Sequence, residues 1–115
     1  MKPFTVKRPW GQFRQFTKGT AATVKTIIVR PNQELSLQYH KHRTEFWHVI
    51  SGRPRLTVGA KTKIAKPGDE IVIKPRVLHR ITAGKAPVVI LEIAFGAFNE
   101  KDIVRLKDRY GRVKK

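Results

Sequence analysis

Gln38-Tyr39-His40-Lys41-His42-Arg43-Thr44-Glu45, followed by six residues and Gly52, decides how this chain is read. Eight residues hold two imidazoles, a side-chain amide and a carboxylate. Imidazole nitrogen and carboxylate oxygen are the donors that a borderline divalent metal takes. In a strand, residues two apart point to the same face. Gln38, His40 and His42 can therefore aim at one point. A second histidine segment, Gly68-Asp69 through His79, follows further along.

The rest of the chain supplies a barrel around that stretch. Thr23–Arg30 reads as a strand with Val24, Thr26 and Ile28 on one face and Lys25, Ile27 and Val29 on the other. Phe46-Trp47-His48-Val49-Ile50 is an aromatic, β-branched strand that Ser51-Gly52 turns. Arg55–Val58 and Lys63–Ala65 make a hairpin around Gly59-Ala60. Ile71–Ile73, Leu78–Thr82 and Val88–Phe95 are further strands, separated by Gly and Pro turns. Asn99 is placed to cap a short helix over Glu100–Leu106. The fold class is all-β. One domain is expected over 1–115, with an N-terminal arm (1–22), a barrel (23–96) and a C-terminal helix and tail (97–115).

Composition narrows the chemistry. With 115 residues and no cysteine, the chain can bury a core without staples and cannot build a thiolate metal site. No apolar run approaches the ~20 residues of a membrane span, and no apolar signal core opens the chain. A cytoplasmic protein with no membrane partner is expected. The balance of 25 Lys+Arg against 8 Asp+Glu, formally +17, suits an anionic small substrate, nucleic acid, or a charged surface with no partner, tuned for solubility or high temperature. Cations are scattered, with short runs only at Lys7-Arg8 and Lys114-Lys115, which argues against nucleic acid.

The spacing resembles the first cupin motif: Gly, five residues, His-x-His, three or four residues, Glu, six residues, Gly. With His40 and His42 as the pair, the gap to Glu45 is too short. With Gln38 and His40 as the pair it fits, and Asn32 stands at the first Gly. That register resembles the metal motif of type II mannose-6-phosphate isomerases, carried here by Leu35-Ser36-Leu37-Gln38-Tyr39-His40-Lys41-His42-Arg43-Thr44-Glu45-Phe46-Trp47. Arg8-Pro9-Trp10-Gly11, Gly68-Asp69 through His79-Arg80, and Asp102-Ile103-Val104-Arg105-Leu106 with Asp108, Tyr110, Gly111 and Arg112 are similar to other signatures of the same family. Phe46 replaces a usual His, His48 an aliphatic residue, Ala94 a common Gln, and Lys74-Pro75-Arg76 a Pro-Ala-Gly type turn. The guanylyltransferase domain that precedes the cupin in many relatives has no counterpart in this sequence, so nucleotidyl transfer is not expected of it.

The resemblance implies a small cupin-type (jelly-roll) barrel with one divalent metal held by Gln38, His40, Glu45 and His79. Zinc is the expected ion by analogy; Mn, Co, Ni or Fe suit the same donors. It implies isomerisation of mannose 6-phosphate and fructose 6-phosphate through a cis-enediol, with a homodimer as the assembly. Glu92, His42 and Lys25 are the candidates for proton transfer. Lys25, Arg43 and Arg80 are the candidates for holding a phosphorylated hexose. Glu92 is the one carboxylate in an apolar strand, and burial raises a carboxyl pKa. His48, three residues from Glu45, falls on the opposite face and reads as structural. Trp10 and Trp47 read as packing residues. The competing reading is a non-catalytic module that binds a sugar phosphate or sugar nucleotide.

Overall fold

The computed structural model describes residues 3–96, 99 and 101–113. Eleven strands follow in chain order: β1 (Phe4–Arg8), β2 (Gly11–Gln15), β3 (Ala22–Val29), β4 (Leu37–Tyr39), β5 (Arg43–Ser51), β6 (Arg55–Val58), β7 (Lys61–Ile64), β8 (Glu70–Ile73), β9 (His79–Thr82), β10 (Val88–Gly96) and β11 (Val104–Lys107). β1 and β2 form a hairpin of their own. The others form two antiparallel sheets, ordered β3-β10-β5-β8 and β11-β4-β9-β6-β7. Each sheet turns one face toward the other, as a jelly roll requires.

Period-two alternation decides which residues enter the space between the sheets. Along β3, Lys25, Ile27 and Val29 face inward while Val24 and Ile28 stay exposed, as the pattern predicts. On β10, Val88, Ile90, Glu92 and Ala94 are all buried. On β5, Arg43, Glu45, Trp47 and Val49 are buried. The apolar core joins Val29, Trp47, Val49 and Leu56 to Ile73, Ile81, Val88 and Ile90. Burying such aliphatic side chains contributes roughly 1.5–3 kcal/mol each.

Two turns show how the backbone fits these sheets together. Gly52 ends β5 with φ +87°, and a Cβ there would stand 2.4 Å from the Pro87 carbonyl oxygen. Only glycine allows that approach. Asn32, at the motif's first Gly position, takes φ 61°, a left-handed conformation that Asn tolerates. Arg76 takes φ 68° in the altered turn before His79, and its N–H donates to the His40 carbonyl at 2.7 Å. That turn therefore stores some strain and is tied to the metal-motif segment.

Three regions differ from the sequence expectation. The segment assigned to a C-terminal helix carries β11 among its described residues; Glu100 lies outside them. Asn99 still makes a cap-like bond, its Oδ1 accepting from the Lys101 N–H at 2.9 Å, but the chain then pairs with β4. A helix this short is marginal alone, whereas pairing satisfies the open edge of β4. The N-terminal arm is the β1–β2 hairpin. Phe16 packs against Phe46 and His48 on the outer face of the β5 sheet. Trp10, at the hairpin tip, is exposed, while Trp47 is in the core.

Candidate metal centre

The site grows out of three strands. β5 carries Glu45 inward, β9 carries His79, and β4 ends just before His40. Gln38 stands directly across from His79 in the β4–β9 pairing. His40, Glu45 and His79 are all buried, and each offers a ligand atom within 4.8 Å of the others.

Hydrogen bonds set the tautomers. His40 Nδ1 lies 2.6 Å from the Asp102 carbonyl oxygen, and His79 Nδ1 lies 2.9 Å from that of Val77. A carbonyl only accepts, so each imidazole donates from Nδ1 and presents a bare Nε2. His79 Nε2 is buried with no hydrogen-bond partner. Glu45 lies between the two rings, Oε1 3.4 Å from His79 Nε2 and Oε2 3.5 Å from His40 Nε2. Burial lowers both histidine pKa values, that of His79 to about 4, so both rings are neutral near pH 7. Two lone pairs and a carboxylate facing one another are electrostatically poor unless a cation joins them. A divalent metal fits that donor set, and outer hydrogen bonds from Nδ1 to carbonyls are what metal-bound imidazoles use.

Arg43 already brings one positive charge to this cluster. Its Nε donates to Glu45 Oε2 at 3.0 Å, Nη2 forms an ion pair with the same oxygen at 3.0 Å, and Nη2 lies 3.1 Å from His40 Nε2. Gln38 borders the same cavity, its Oε1 accepting from Ser36 Oγ at 2.8 Å. The cavity measures about 190 Å³, and Lys25 and Glu92 also line it. Glu92 sits opposite Lys25 in the β10–β3 register. Burial, then the neighbouring Glu45 carboxylate, pushes the Glu92 pKa up to about 7.

Other candidate residues stand elsewhere. His42 lies beyond the end of β4, where the chain bends, so strand parity no longer holds. It borders a separate cavity of about 470 Å³ with Lys41 and Lys101. Arg80 points away from the metal cavity: Nε donates to the Leu35 carbonyl, Nη2 to that of Lys107, and Nη1 pairs with Glu34. His48 accepts no role here; it faces outward and bonds Glu70. The sequence places Asp102, Ile103 and Arg105 in a family signature but gives them no role at the site. The Asp102 carboxylate accepts the backbone N–H groups of Lys41 and His42, and those bonds hold its pKa low. Ile103 and Arg105 both line the metal cavity, Arg105 on β11 and Ile103 just before it.

The architecture and sequence have known counterparts. A double-stranded β-helix protein of Klebsiella pneumoniae superposes with TM-score 0.66, covering 93% of this chain and 86% of that one at 20% identity. A putative sugar phosphate isomerase of Acidithiobacillus ferrooxidans gives TM-score 0.59 at 25% identity, covering 64% and 49%. The mannose-1-phosphate guanylyltransferase ManC of Salmonella typhimurium is 38% identical over 110 residues, 94% of this chain but 23% of that protein. The chain thus spans about a quarter of that relative's length. Among the described residues, no helix is long and apolar enough to cross a membrane. Residues 2–108 match the family described as mannose-6-phosphate isomerase C-terminal, and with these sheets and this buried His-Glu-His group the chain belongs to that cupin family.

Proposed function

We propose that the protein is a metal-dependent aldose–ketose isomerase that interconverts mannose 6-phosphate and fructose 6-phosphate through a cis-enediol. The observation that carries this reading is the buried His79 Nε2 with no hydrogen-bond partner, facing Glu45 together with the unprotonated His40 Nε2 that Arg43 Nη2 approaches at 3.1 Å. Gln38 completes a four-donor set that leaves positions open for substrate oxygens. When bound, a divalent ion, zinc by analogy, supplies Lewis-acid stabilisation of negative charge developing on those oxygens.

The remaining chemistry falls to side chains. Glu92, in the same cavity with a pKa near 7, can take the proton from C2 of the aldose and return it to C1. Lys25 beside it favours the ionised form needed to accept. Arg43 holds the Glu45 carboxylate in place by a hydrogen bond from Nε and an ion pair from Nη2. His42 borders the neighbouring cavity, which leaves Glu92 as the better-placed carrier.

A coupled assay for fructose 6-phosphate formed from mannose 6-phosphate tests the proposal. Turnover should vanish with EDTA and return with added metal. A folded protein inactive with every metal would reject the isomerase. It would support instead a module that binds sugar phosphate or sugar nucleotide without turnover.

A further inference from the structure

The metal cavity contains a second arginine, and its circumstances differ from those of its neighbours. Arg105 stands opposite Gln38 in the β11–β4 pairing and lines the same cavity as His40, Glu45 and Glu92. Its Nε is buried with no hydrogen-bond partner. The arginines around it are engaged: Arg43 with Glu45, Arg80 and Arg109 with Glu34, Arg112 with Asp108. Among the described residues, Arg105 has no carboxylate partner. Burying a guanidinium N–H unmet is costly unless a ligand meets it.

Backbone geometry makes this placement specific. The β11–β4 register slips between Arg105 and Lys107, so Leu106 is an extra residue opposite β4. Such bulges re-aim side chains and recur beside functional sites. Arg105 also borders a cavity of about 230 Å³ with Ile103, Val104 and Arg112, so the guanidinium lies in the wall between that space and the metal cavity. Across the metal cavity stands Lys25 from the other sheet. Two cations from opposite sheets bracket a space too small for a nucleotide but suited to a small anion; typical drug-sized pockets are roughly 300–1,000 Å³.

The geometry points to Arg105 as the residue that grips the phosphate group of the substrate by paired N–H···O bonds, with Lys25 adding charge. Arginine's planar fork matches phosphate oxygens two at a time, which lysine cannot do. This assignment rests on the reading that the cavity takes a phosphorylated sugar. It makes Arg105 a specificity residue that separates phosphorylated from free hexose, while the metal donors act on the other end of the molecule.

Calorimetric titration of zinc-loaded wild type, Arg105→Lys and Arg105→Met with mannose 6-phosphate, inorganic phosphate and unphosphorylated mannose tests it. Arg105→Met should weaken both phosphate ligands by about 10–100-fold, the loss of one charge-assisted contact of about 1.5–3 kcal/mol. Arg105→Lys should recover part of that affinity. Mannose binding, bound zinc and the thermal midpoint should stay as in wild type. If wild type turns over mannose 6-phosphate, Arg105→Met should raise KM and leave kcat nearly unchanged. Equal phosphate affinity in wild type and Arg105→Met would overturn the Arg105 assignment while sparing the isomerase. A loss of zinc or of mannose binding with the same change would overturn it too, by showing a structural role. Wild type indifferent to both phosphate ligands would reject the phosphorylated-sugar reading and this assignment with it.

Discussion

The two ends of the space between the sheets are built from the same strands and have opposite chemistry. β5 gives Trp47 and Val49 to one end and Arg43 and Glu45 to the other. β10 gives Val88 and Ile90 to the first and Glu92 to the second. β9 divides between Ile81 and His79, and β3 between Val29 and Lys25. Each strand changes character within two residues; β3 and β10 do so at the same level, Lys25 beside Glu92, while β5 does so one pair later, with Trp47 still opposite Glu92. Trp47 marks the boundary, with its ring edge-on to the His79 imidazole at 5.5 Å. A rigid apolar end holds a polar end whose charges would not stay together in water.

The difference can be broken from either side. The largest expected effect comes from the polar end: His40→Ala or His79→Ala should remove bound metal and abolish turnover, at least about 10³-fold, as losing the main electrostatic stabiliser does. Metal analysis and the coupled assay check this, and the folded far-UV signal should persist. Either variant with full metal content and full activity would sink the ligand assignment.

At the apolar end, Leu56→Ala should cost about 2–5 kcal/mol in a urea titration, because Leu56 is 1% exposed in the core. Its zinc affinity should remain near wild type if the ends are energetically separate. A parallel collapse of metal binding would show that the boundary transmits strain.

A subtler prediction sharpens the polar end alone. In metal-free protein the Glu92 pKa is raised from 4.5 to about 7. The folded state then binds more protons than the unfolded one across that window, so this group makes stability fall as pH rises from about 4.5 to 7. His79, lowered from 6.5 to about 4, does the reverse: the unfolded state binds more protons, and stability rises from about pH 4 to 6.5. The two slopes oppose each other. Glu92→Gln removes the falling contribution, so its urea midpoint should climb with pH more steeply than that of wild type between pH 4.5 and 6.5. Identical slopes would place Glu92 outside the buried network.

Much of the pairing was visible in the order of residues because strand parity is a local property. Lys25 inward and Val24 outward follow from alternation, as does Glu92 among buried neighbours. Alternation failed at His42, where the chain leaves β4 and bends, and the imidazole that parity aimed at the metal turns to another cavity. Arg80 failed for a different reason: with 25 Lys+Arg in the chain, type alone cannot say which cation meets a ligand and which is spent on Glu34.

By itself, the sequence determined the all-β class, the turns and the donor types, since period-two patterning and Gly and Pro positions act through near neighbours. Motif spacing was enough to bring Gln38, His40, Glu45 and His79 into one family pattern. Only the tertiary structure decided that residues 104–107 are a strand, because the partner that makes them one is the open edge of β4, distant in sequence. It alone decided the imidazole tautomers, since the carbonyls of Asp102 and Val77 that fix them are brought in by backbone. The Arg105 Nε that no described residue meets emerged there as well: an N–H is unmet only relative to its surroundings, and those are assembled from residues scattered along the chain.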